Sequence, residues 1–242
     1  MMASEFAQDG SVIWTTFARP VHGLALAVQR RRVLSALMLS TVISLAATAL
    51  ILPVLDAEAV AGPSLQNDMT PHERELAIES AMRLQHVASW AAAGLMPALS
   101  AVALTIALYF AFWVAGARAT FKQTLVVSAH ALVPQALKSF LLVFPARAHA
   151  PVAPDDLATL LPSNVLAWLP KTLSLPPPAM SALGAFDVFT LWSLFLISSG
   201  MASASRASKL RTGIVMFVLF AAYIALFKVV PAAAGGGGGG PH

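Results

Sequence analysis

Between Val33 and Leu55 no residue is charged for about 23 positions, about 34 Å as a helix, enough to cross the roughly 30 Å hydrocarbon core of a bilayer. Arg30, Arg31 and Arg32 stand directly before it. A cleaved leader is the rival reading, because Ala57-Glu58-Ala59 resembles a cleavage site; the run is too long for a leader's apolar core, so an anchor is expected. Four more runs of spanning length follow, Val87 to Val114, Lys122 to Phe144, Gly184 to Ala204 and Gly213 to Val230. Only 11% of the residues are charged and 58% are hydrophobic, whereas a soluble domain carries about 25% charged residues. A soluble fold of this size cannot hide that much apolar surface. The expected fold class is all-α: a polytopic membrane protein, a bundle of five transmembrane helices with short amphipathic helices in the outer loops.

The segments between the runs carry their own signals. Residues 1–32 form a lead-in in which Phe17 to Val28 suits a short interfacial helix starting near Pro20. Residues 56–86 are acidic, and Thr70, Pro71 and Glu73 make a capping-box start for a helix feeding into the second span. Residues 146–183 are Pro-rich and mostly neutral. The membrane domain is expected over 33–230, with 231–242 a disordered Gly-rich tail.

Charge gives an orientation. The amino-terminal segment and the links after the second and fourth spans hold Arg19, Arg30, Arg31, Arg32, Arg118, Lys122, Arg206, Lys209 and Arg211, against only Glu5 and Asp9. The two long loops hold Arg74, Arg83, Arg147 and Lys171 against eight acids. The positive-inside rule then places the amino terminus in the cytoplasm and the carboxyl terminus outside.

The third span carries the least expected residues. His130, Pro134 and Lys138 recur every four positions and share a helix face. Such groups are costly in hydrocarbon. Lys138 lies about 24 Å along its helix and either snorkels to the outer interface or pairs with Asp187 at similar depth. A lone His in a span is usually bonded between helices, and no second His or carboxylate stands at ligand spacing, so no metal is expected. Pro97 and Pro134 are expected to bend their helices. The small residues around Gly200 read as close helix packing. With no Cys, disulfides and thiolate sites are excluded. No phosphate loop and no nucleophile elbow are present, so neither catalytic residues nor cofactors are expected. The basic balance follows the links rather than marking a nucleic-acid surface.

The order of these segments resembles the Yip domain family, the Ypt/Rab-interacting membrane proteins, in its bacterial form. Gly116, Phe121, Lys122, Gln123, Thr124, Leu125 and Pro134 carry the resemblance, then Asp187, Phe189, Trp192, Ser193 and Gly200. It implies a non-enzymatic five-helix domain whose partners are the bilayer and other membrane proteins. Eukaryotic members bind prenylated small GTPases in vesicle traffic, and some bacterial members resemble accessory factors of ABC-type transporters. The short lead-in, the long Pro-rich outer loops and the Ala, Gly and Pro content point to a bacterial inner membrane. An interaction or assembly factor is the first functional expectation. A transporter or channel subunit, with His130, Lys138 and Asp187 along a polar path, is the second.

Overall fold

Backbone groups in hydrocarbon find no water, so each apolar run must satisfy its own hydrogen bonds, and a helix does so. The computed structural model describes residues 20–30, 32–65, 68–169, 175–205 and 207–231. In chain order the helices are α1 (Pro20–Arg30), α2 (Leu34–Ile51), α3 (Ala57–Ala61), α4 (Pro71–Val114), α5 (Phe121–Ala131), α6 (Val133–Leu141), α7 (Val143–Ala148), α8 (Leu157–Leu160), α9 (Pro177–Gly184), α10 (Val188–Ser205) and α11 (Lys209–Ile224). Among the described residues the only β pairing is two isolated bridges. Five stretches are long and apolar enough to cross a membrane: Leu34–Val54, Pro71–Val114, Phe121–Ala148, Val188–Ser205 and Leu210–Val229. They coincide with the five expected runs, and the chain is an all-α polytopic membrane protein.

The element ends show what sets each helix. Thr70 opens α4 with both halves of a capping box: its backbone N–H donates to Glu73 Oε2 at 2.8 Å, and the Glu73 N–H donates to Thr70 Oγ1 at 3.3 Å. The polar segment and the second span then form one helix of 44 residues with Pro97 inside it. Such a helix is about 66 Å long, so its first turns stand outside a hydrocarbon core of about 30 Å. The third span is instead interrupted, at Leu132 and Leu142. Pro134 and Pro145 follow these breaks, and neither has an N–H for the carbonyl four residues back. Its most apolar stretch is 56% buried, against 11% for the fifth span. The third span is therefore a packed core element, and the fifth mainly faces outward.

The described residues fall into two compact units. The first comprises the described residues within 1–38, 100–135 and 162–242. Its core gathers Leu24, Ala27 and Val28 of α1, Leu108 and Phe112 of α4, Val126 and Val127 of α5, and Leu196, Ile197 and Met201 of α10. Helix α10 packs chiefly against α1 and α5. Lipid tails are as apolar as leucine, so helices in a bilayer associate through close fit and small residues. Ala27, Ala129 and Ala131 are accordingly buried here. Three buried hydroxyls are satisfied within their own helices: Thr105 donates to Ala101 O, Ser205 to Met201 O, both at 2.6 Å, and Thr124 to Thr120 O at 3.1 Å. That bonding lets polar residues lie between packed helices at no cost in lost partners. The helix expected near Pro20 forms as α1, with its apolar face covered by protein rather than laid on lipid.

The second unit comprises Leu39–Leu99 and Ala136–Leu161. Where α2 ends, Asp56 caps α3 by accepting from the N–H groups of Glu58 and Ala59. The two long loops meet there in a parallel bridge between Leu55 and Val152. The Val152 N–H donates to Val54 O and the Asp56 N–H to Val152 O, each at 2.9 Å. This bridge ties the segment that follows the first span to the one that follows the third. Arg19, Arg31, Lys171, Arg206 and the Gly-rich tail lie outside the described residues.

Candidate functional site

The family-motif residues of the third span sit at the start and along the buried side of α5. Thr120 caps the helix. Its backbone N–H donates to Gln123 Oε1 at 3.0 Å, and the Gln123 N–H donates back to Thr120 Oγ1 at 3.3 Å. Thr120 and Gln123 have the spacing of a capping box, a signal legible in the sequence beside the one at Thr70 and not used there. Lys122 is exposed, whereas Thr124 is fully buried. Opposite faces of the helix thus present a cation outward and turn a hydroxyl inward.

His130 is buried in the same helix, with 3% of its surface accessible. Its Nδ1 lies 2.8 Å from the carbonyl of Val126, one turn back. A carbonyl can only accept, so Nδ1 carries the proton of this bond. Nε2 is enclosed with no hydrogen-bond partner among the described residues. Pro134, also buried, follows at the break between α5 and α6. It denies the His130 carbonyl its usual helical donor.

Asp187 is not inside the fourth span but at its threshold, one residue before α10. It is 1% exposed. Its Oδ1 accepts the backbone N–H of Phe189 at 2.8 Å and of Thr190 at 3.3 Å, and Ser163 Oγ donates to Oδ2. An antiparallel bridge of Asn164 with Asp187 holds the two segments together. The Val188 N–H donates to Ser163 O and the Val165 N–H to Phe186 O. A carboxylate at a helix start satisfies orphan N–H groups and meets the favourable end of the helix dipole. The sequence signal was an Asp ahead of an apolar run, while Ser163 lies 24 positions away and carried none. Lys138 belongs to the second unit, Asp187 to the first.

Further along α10, Trp192 packs at the edge of the core. Gly200 is buried against α5, where an added Cβ would fall 2.7 Å from Val127 Cγ1. The helices α5 and α10 therefore touch at a point where only glycine fits. Thr190 also receives a long bond from Gln135 Nε2, at 3.4 Å. Among the described residues no three His, Asp or Glu side chains gather as metal ligands would.

Five apolar helices, with buried polar groups placed at helix starts and helix contacts, define a polytopic α-helical membrane protein. The model of the Yip1 domain matches residues 14–229, nearly the whole chain, and the protein belongs to that family. No curated protein and no solved structure shows a significant likeness to it.

Proposed function

We propose that this protein is a non-enzymatic interaction or assembly factor for membrane-protein complexes, set in a bacterial inner membrane with its amino terminus in the cytoplasm. The observation that supports this reading is what its buried polar side chains do. Asp187 serves a helix cap, Thr124 and Ser205 bond to their own helices, and Gly200 admits Val127. These are devices for holding helices. The outward faces of α4 and α11 offer Leu99, Ile106 and Phe110, and Ile214, Phe217 and Val218, to lipid or to other helices. An accessory role beside an ABC-type transporter suits such a surface. Purification in mild detergent is expected to bring down another integral membrane protein in stoichiometric amount; recovery of the protein alone would count against assembly.

The second reading is a transporter or channel subunit, which the enclosed Nε2 of His130 favours. Solute or ion flux through liposomes holding the pure protein, abolished by His130→Ala, would establish that reading in place of the first.

A further inference from the structure

Two short links meet at one end of the first unit. One follows α4 and contains Gly116 and Arg118; the other follows α10 and leads into Arg211. They line an open cleft of about 540 Å³, with Gln123 and Ser205 also on its wall. Gly116 adopts φ +70°, and a Cβ there would stand 3.0 Å from an Arg211 Nη2. The glycine thus makes the turn and lets the guanidinium lie against the neighbouring link.

The charge of this end is one-sided. From Ala115 to Gln123 and from Ala204 to Thr212 the chain carries Arg118, Lys122, Arg206, Lys209 and Arg211, with no Asp or Glu. Among the described residues neither Arg118 nor Arg211 has a carboxylate partner. Gln123 uses Oε1 in its capping box, so its Nε2 amide is left as a donor. The side chain of Ser208 accepts the Arg211 N–H at 3.3 Å, which fixes the backbone from which that arginine projects. The polar side chains on the wall are therefore mostly donors, two of them guanidinium forks that match the oxygens of a phosphate. The lining residues stand at the ends of four candidate spans, the depth at which lipid headgroups lie.

We propose that this cleft binds a phosphate oxyanion, carried by a phospholipid headgroup or by free phosphate, with Arg118 and Arg211 as its forks and Gln123 as a further donor. The site does not depend on the assembly role.

The test titrates the full chain, in non-ionic detergent, with dihexanoylphosphatidylglycerol and separately with inorganic phosphate, by calorimetry. Arg118→Gln and Arg211→Gln are each expected to weaken binding about tenfold, the loss of one charge-assisted contact. Arg147→Gln, in the other unit, is expected to leave binding unchanged. Added salt is expected to weaken binding throughout. Saturation by the lipid with little uptake of phosphate assigns the site to a headgroup; equal uptake of phosphate assigns it to the free anion. Failure of the wild type to bind either, or binding by the two arginine variants as tight as that of the wild type, would overturn the site. Should the Gln variants not fold, Arg118→Lys with Arg211→Lys keeps the charge and drops the fork. Undiminished affinity in that pair would likewise overturn it.

Discussion

Gly200 of α10 faces Val127 of α5 so closely that an added Cβ would lie 2.7 Å from one Val127 methyl and 2.8 Å from the other. A β-branched side chain in a helix has one strongly preferred rotamer, so Val127 cannot swing aside. Gly200→Ala is therefore expected to destabilise the protein by about 1–3 kcal/mol, as overpacking does. Val127→Ala in the same chain should recover most of that loss, because it removes both clashing methyls. Thermal midpoints of the single and double variants in one detergent check this. A Gly200→Ala protein as stable as wild type would refute the close contact.

The cap at Asp187 makes a prediction that separates charge from hydrogen bonding. Asp187→Ala is expected to cost about 1–2 kcal/mol through the lost N-cap. It also leaves the Ser163 hydroxyl without its acceptor. Asp187→Asn should cost less, because an amide oxygen caps nearly as well. The pairing of Lys138 with Asp187, read from the sequence as the alternative to snorkelling, carries a separate signature: if the two pair, Lys138→Ala alone should lower expression more than the double alanine variant does. Additive losses would argue against that pairing.

Glu73 stands fully exposed, outside the apolar part of its helix. The Thr70 backbone N–H, and then the Thr70 hydroxyl, hold its carboxyl below the usual glutamate range. A carboxylate whose pKa is lowered by folding adds stability above its unfolded pKa and loses it as pH falls through the folded value. Protection of the first α4 amides, with exchange referred to its intrinsic rate at each pH, is thus expected to fall as the pH drops below the ordinary glutamate range. In Thr70→Ala, protection should already be low and show a weaker pH dependence. Equal pH dependence in both proteins would rule out the box as its source.

Because the chain has no cysteine, single introduced thiols report sidedness cleanly. Cysteines at Arg118 and Ala207 line one cleft region and are expected to react with an impermeant maleimide from the same side of the membrane. Cysteines at Ser64 and Asp155, in the two long loops, are expected to react from the other. Under the positive-inside rule the first side is expected to be the cytoplasmic one. Labelling of Ser64→Cys and Arg118→Cys from one side would contradict an odd number of crossings between them.

How far a residue could be read in advance depended on how local its cause was. The start of α4 was legible because Thr70 and Glu73 are three positions apart and bond to each other. The box at Thr120 and Gln123 has the same spacing and was equally available. Pro134 was legible as a disturbance, since a missing N–H belongs to the residue itself, though a break between two helices rather than a bend is what forms. Ser163 was not legible. Its role arises from a partner far along the chain.

By itself, the sequence determined that there are five lipid-crossing helices, where they lie, and that the basic links separate from the acidic loops. Those properties follow from run length, backbone hydrogen bonding and charge. Tertiary structure alone decided that α1 is covered by α10, that Gly200 meets Val127, that Asp187 begins a helix instead of standing within one, and that Gly116 gives way to Arg211. Hydropathy cannot distinguish these outcomes, because a leucine facing lipid and a leucine facing another helix are in nearly equal solvents. Only shape and the available hydrogen-bond partners choose between them.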